Sequence, residues 1–181
     1  MRALLDACVL YPTVMREILL GVAVQSLFQP RWSDRILEEW ARAAARIEPA
    51  QEQIARGEIA LLRANWPDAT IPTAPGLEAR LWLPDANDIH VLACAIKGSC
   101  DTIITMNAKD FPKNILAEEG LNRHDPDGFL RDLWQTHPDQ VASVAENVRQ
   151  QAETLSKQDW PMRKLLKKAR LPRLAKALLT A

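Results

Sequence analysis

The chain has 181 residues, 48% of them hydrophobic and 25% charged, with a formal net charge of zero. That is an ordinary globular composition, enough for one domain with a real core and a small appendage, and it gives no global field to attract nucleic acid. No apolar run approaches the ~20 residues that span a bilayer. The N-terminus, interrupted by Asp6, lacks the form of a signal peptide. Cys8, Cys94 and Cys100 have neither metal-type nor redox spacing. A cytoplasmic location with core thiols is therefore expected.

Charge is unevenly spread. Residues 160–181 carry Arg163, Lys164, Lys167, Lys168, Arg170, Arg173 and Lys176 and no acid, so residues 1–159 hold a net charge of −7. An acidic body with a basic tail needs an explanation.

In chain order, the run Ala3-Leu4-Leu5 has the character of a central strand. Asp6 stands where that strand should end. Its ordinary role there is to cap the next helix or turn, but the same position is where α/β phosphoesterases hold a metal. Tyr11-Pro12 breaks the strand, and a helix is expected over residues 13–27, followed by a connector at 29–32 with room for a short strand. Ser33 has the character of an N-cap for a helix bearing Glu38 and Glu39. Neighbours on a helix lie ~100° apart, so one helix cannot aim both at the same point. Two solvated glutamates are the ordinary case; the alternative sends one of them into a site. Pro49 ends that helix, another follows over 50–66, and the Pro-rich stretch 67–76 is a loop with room for an edge strand near 69–71.

Residues 83–112, LPDANDIHVLACAIKGSCDTIITMNAKDFP, are the most informative stretch. Asp85 fits an N-cap and Asp88 the N3 position of a buried apolar helix that stops at Gly98. His90 lies two residues past Asp88, on another face, and reads as a packed or rim histidine rather than a ligand. A short buried strand is expected over 102–106, ending in the polar cluster Asn107-Ala108-Lys109-Asp110. A short helix at 113–119 and a last strand at 121–124 complete the body. From Asp125 the pattern turns helical, with starts marked by Pro126, Pro138, Pro161 and Pro172. The expected division is 1–124 for an α/β body and 125–181 for a helical extension.

Alternating strands and helices imply a central parallel sheet, and ligands gather at the carboxyl ends of such strands. Asp6, Glu38 or Glu39, Asp85 or Asp88, and Asp110 are then positioned to meet at one edge. Carboxylates without histidine or cysteine select hard cations, Mg²⁺ or Mn²⁺, which suit phosphate-ester substrates. The chain lacks a Gly-rich phosphate loop and a Ser-His-Asp arrangement.

The pieces LLDACVLYP, WSDRILEEW, LPDANDIHVLACAI and IITMNAKDFP, in that order across residues 3–125, resemble a PIN domain, the nuclease fold of the VapC-type toxins of bacterial toxin–antitoxin pairs. The resemblance implies a three-layer α/β/α fold and an Mg²⁺- or Mn²⁺-dependent endoribonuclease, with RNA as substrate, a cognate antitoxin as partner and a homodimeric state. It implies catalytic roles for Asp6, Glu39, Asp88 and Asp110, with Glu38 as the fallback for Glu39. Asp85 matches an additional acid of one branch, and Thr105 a hydroxyl near metal or phosphate. Many PIN domains carry an aspartate where Asn107 stands. Asn107 can coordinate only through its neutral amide oxygen, which places the second metal in question more than the first. The helices after residue 124 resemble the extension of a longer branch. Other readings are a PIN-fold binding module that has lost catalysis, favoured only by Asn107, and a receiver-type signalling domain, which needs an acidic pair where the chain has Asp6 alone. Haloacid-type phosphatases need Asp-x-Asp where the chain has Asp6-Ala7-Cys8.

Overall fold

The computed structural model describes residues 1–179. In chain order the elements are β1 (Arg2–Leu5), α1 (Ala7–Leu10), α2 (Thr13–Val24), β2 (Gln29–Arg31), α3 (Asp34–Ala45), α4 (Pro49–Asn65), α5 (Pro75–Glu78), a 3₁₀ turn (Ala86–Asp88), α6 (Ile89–Lys97), β3 (Thr102–Ile104), α7 (Lys113–Glu118), β4 (Asn122–His124), α8 (Pro126–Thr136), α9 (Pro138–Ser156), α10 (Met162–Lys168) and α11 (Pro172–Leu179). Their contacts divide the chain into two compact units. One comprises Met1–Tyr11 and Gln29–His124; the other comprises Pro12–Phe28 and Asp125–Ala181. The expected division at residue 124 thus differs at α2, whose contacts group it with the C-terminal helices.

The first unit is built on a four-stranded, all-parallel sheet in the order β2-β1-β3-β4, with flanking helices. The central strands are short continuous apolar runs, as strands covered on both faces must be. Leu4, Leu5, Ile103 and Ile104 are completely buried. Leu5 pairs with Ile104, and Ile104 with His124, so three strands end at one level. The ladder runs slightly beyond them: Asp6 N–H donates to the Ile104 carbonyl at 3.2 Å and Thr105 N–H to that of His124 at 3.1 Å. Asp6 and Thr105 are the first residues past the carboxyl ends of the two central strands.

Three details depart from the sequence expectation. The first strand stops at Leu5, before Asp6 as expected, but residues 7–10 then turn into the short helix α1, where none is expected. The third ends at Ile104 rather than Met106. Asp85 does cap a turn, accepting from Asn87 N–H at 2.9 Å, but the turn is 3₁₀ and ends at Asp88, which itself stands at the cap of α6. Elsewhere the local signals hold. Ser33 Oγ accepts from Ile36 N–H at 3.2 Å and starts α3. Gly98 ends α6, its N–H donating to the Cys94 carbonyl at 2.9 Å. The edge strand expected near 69–71 is a single parallel bridge between Trp32 and Thr70.

The second unit is helical. Within it, α2 lies so close to α9 that a Cβ on Gly21 would stand 2.5 Å from Val144 Cγ1. The rings of Phe28 and Phe129 meet edge to face with centroids 5.2 Å apart. Asp125 caps α8, its Oδ1 accepting from Gly128 N–H at 2.9 Å. The buried Asp127 carboxylate accepts from both Arg173 N–H and Leu174 N–H at 2.9 Å, so a side chain of α8 caps the first turn of α11. No helix among the described residues is long and apolar enough to cross a membrane.

Candidate metal centre

Three carboxylates cluster past the carboxyl edge of the sheet, and two more, Asp6 and Glu39, are near enough for their charge to act on one of them. The β1 end supplies Asp6, and the α6 entry supplies Asp85 and Asp88. Asp110 comes from the loop after β3, and Glu39 from the middle of α3. Carboxylate oxygens of Asp85, Asp88 and Asp110 lie within 4.8 Å of one another. The Asp88 carboxyl is pushed up from the ordinary 3.8 to about 6, first by desolvation and then by the negative charges of Asp6, Asp85, Asp110 and Glu39. Every acid that raises it belongs to the set expected from sequence.

The two glutamates of α3 separate cleanly. Glu38 faces α4, where Arg56 grips it at 3.0 and 3.1 Å and Arg42 adds a contact at 3.2 Å. Hydrogen bonds from those arginines hold its carboxyl down at about 2. Glu39 lies one position on, at the acid pocket. Its Oε1 is 2.8 Å from His90 Nε2 and 3.5 Å from Arg35 Nε.

Asp6 is buried and held by two donors on one oxygen. Thr105 Oγ1 donates to its Oδ2 at 2.6 Å, and Cys8 Sγ at 3.0 Å. Burial, reinforced by the Asp6 charge, pushes the Cys8 thiol up to about 12, so it stays protonated as a donor. Asn107 ties the acids together. Its backbone N–H donates to Thr105 Oγ1 at 2.9 Å and its Nδ2 donates to Asp88 Oδ2 at 3.0 Å. Where a further carboxylate would add to the repulsion on Asp88, this amide relieves it.

One neighbour, Cys8, is not legible as such in the sequence, and a second, His90, is packed as its position suggests. Cys8 follows Asp6 by two residues and turns back onto it only because α1 begins at once. His90 is buried at the start of α6 against Glu39. Nε2 is within 2.8 Å of the carboxylate but off the line of a hydrogen bond, and Nδ1 has no partner. Position in sequence placed it on another face from the acids; the acid it meets comes from a different helix.

At the carboxyl edge of this open parallel sheet, Asp85, Asp88 and Asp110 offer a set of carboxylate oxygens close enough together to hold a cation. The donors are all oxygens, and Asp88 is raised by burial first and by its acidic neighbours second. A family model for the PIN domain matches residues 2–109, and the chain belongs to that family, whose members are commonly nucleases. The match spans the strands, helices and loops that carry Asp6, Glu39, Asp85 and Asp88 and extends through Asn107. The chain matches no curated protein and no solved structure.

Proposed function

We propose that this protein is a metal-dependent endoribonuclease, the toxin of a VapC-type toxin–antitoxin pair, restrained by a cognate antitoxin and acting as a homodimer. The observation that carries the nuclease reading is the convergence of Asp6, Glu39, Asp85 and Asp110 upon Asp88. Asp6, Asp85, Asp88, Asp110 and Glu39 would hold Mg²⁺ or Mn²⁺, with the Asn107 amide oxygen as a neutral ligand beside them. When bound, such a cation neutralises the scissile phosphate and lowers the pKa of a water molecule.

The chain's own residues do the rest. Thr105 and Cys8 fix the Asp6 carboxylate by donating to Oδ2, and Oδ1, which neither of them engages, is the oxygen that would be offered to a cation. Asn107 fixes Asp88 in the same way. One carboxylate of the set, Asp85 included, would orient the attacking water, and the products would carry a 5′-phosphate and a 3′-hydroxyl, as in the family. The test is cleavage of total RNA by the purified chain with Mg²⁺, with Mn²⁺ and with excess EDTA, beside Asp6→Asn. Discrete metal-dependent cuts that the variant loses by more than ~100-fold, with unchanged circular dichroism, are expected. Full activity in the variant would sink the assignment. Metal binding without cleavage would favour the catalytically silent binder, to which Asn107 lends its one argument.

A further inference from the structure

The basic end of the chain is a built surface. Helix α10 and its turn into α11 bury Leu165, Leu166, Leu171, Leu174 and Ala175, each at most 3% exposed. The opposite face presents Arg163, Lys164, Lys167, Lys168 and Arg170, all exposed, and none has a carboxylate partner among the described residues. Neighbouring acids are engaged elsewhere: Glu146 and Glu153 hold Arg149, Asp159 hydrogen-bonds Glu153, and Asp127 of α8 caps α11. Beneath the lysines lies Trp160, fixed by its Nε1–H on Ser156 Oγ at 2.9 Å and its backbone N–H on Glu153 at 3.0 Å. The ammonium groups of Lys164 and Lys168 stand 5.5 and 4.8 Å from its ring centroid. The ring gathers two like charges that would otherwise spread apart.

We propose that this face is a phosphate-backbone binding site for RNA, separate from the metal centre. Five unpaired cations with a sealed apolar face offer a partner charge and little else. A protein partner or a helix-accepting groove needs an apolar centre to bury. The choice of RNA rests on the nuclease reading of the first unit. It also answers the charge imbalance: residues 1–159 carry a net −7, which repels a polyanion, and the seven cations after residue 160 restore neutrality.

The test uses the full chain carrying Asp6→Asn, in EDTA, so that binding is read without cleavage. A fluorescein-labelled uridine 20-mer is titrated by anisotropy across a salt series, with and without Lys164→Ala, Lys167→Ala and Lys168→Ala together. These positions leave the buried leucines in place, and circular dichroism checks the fold. The triple variant should bind at least about tenfold more weakly. Its slope of log affinity against log salt should fall by about 2, as expected for three lost phosphate contacts on a single strand. Equal affinity and equal slope in the two proteins would overturn the proposal. Lysine-dependent retention on phosphatidylserine vesicles with no change in RNA binding would overturn it too, in favour of a lipid headgroup site. Because the wild-type chain is scored for cleavage in a separate assay, a failed nuclease reading and a failed binding site give different patterns.

Discussion

Two groups of acids on the first unit obey opposite rules. On the outer faces of α3 and α4, three acids are held by guanidinium groups: Asp34 with Arg63 at 2.8 Å, Glu38 with Arg56 and Arg42, Glu52 with Arg56 at 2.7 Å. At the sheet edge, Asp88 sits among four other carboxylates, and the neighbours that reach it donate neutral hydrogen bonds. The first pattern stabilises the fold weakly and is finished as it stands. The second gathers like charges around Asp88, with the Arg35 guanidinium 3.5 Å from Glu39 at its margin. Arg56 and Arg42 occupy the Glu38 carboxylate, while that of its neighbour Glu39 is near enough to Asp88 to push its pKa up.

The sharpest way to break this contrast is Asp88→Asn. Its folded pKa, about 6, lies above its ordinary 3.8, so the protonated form is favoured by folding. The stability it contributes is complete below about pH 4 and is lost as pH rises through 6, at most about 3 kcal/mol in the metal-free protein. The variant should therefore melt several degrees higher than wild type in EDTA at pH 8 and equal to it near pH 4, while its Mn²⁺ affinity falls by more than ~100-fold. In wild type, Mn²⁺ affinity at saturating buffer should weaken below pH 6, by about tenfold per unit for one displaced proton. Calorimetric titration and thermal melts across pH read both, and a lower melting temperature for the variant at pH 8 contradicts the picture.

A smaller effect is expected at His90, the buried ring against Glu39. His90→Ala should cost about tenfold in Mn²⁺ affinity through a looser Glu39, the lower end of the range for residues that orient ligands. His90→Gln, which keeps a donor, should recover part of the loss; equal affinity in all three proteins would mean the contact is incidental. The smallest effect belongs to the paired group. Glu38→Gln should leave metal affinity and RNA cleavage unchanged and lower the melting temperature by at most about 3 °C. A large loss of cleavage there would mean that the two glutamates of α3 had been assigned in reverse.

What the sequence carries is what lies within a few residues. Ser33 with Asp34, Asp125 with Pro126, and Gly98 each mark a helix end by chemistry local to that end, and all three are found there. The buried runs at 3–5 and 102–104 are readable as central strands because they are apolar on both faces. The turn at 7–10 is not, because Ala-Cys-Val-Leu suits a strand and a buried helix equally well. The choice between Glu38 and Glu39 is hidden for a different reason: it is decided by Arg56, eighteen positions along on another helix. The grouping of α2 with the C-terminal helices is likewise decided by distant partners, Val144 for Gly21 and Phe129 for Phe28.

The Asp127 clamp has a consequence of its own. By holding the first two amide groups of α11 that reach it, and with Leu166 and Leu171 buried, it makes the basic end part of a folded body rather than a loose arm. A loose basic arm loses conformational entropy each time it settles on a polyanion, and its binding carries the large heat-capacity change of coupled folding. A surface ordered in advance loses only side-chain freedom. Association of a polyanion at the proposed site would accordingly be dominated by the release of counterions, fast to form, fast to dissociate and tuned by ionic strength more than by temperature.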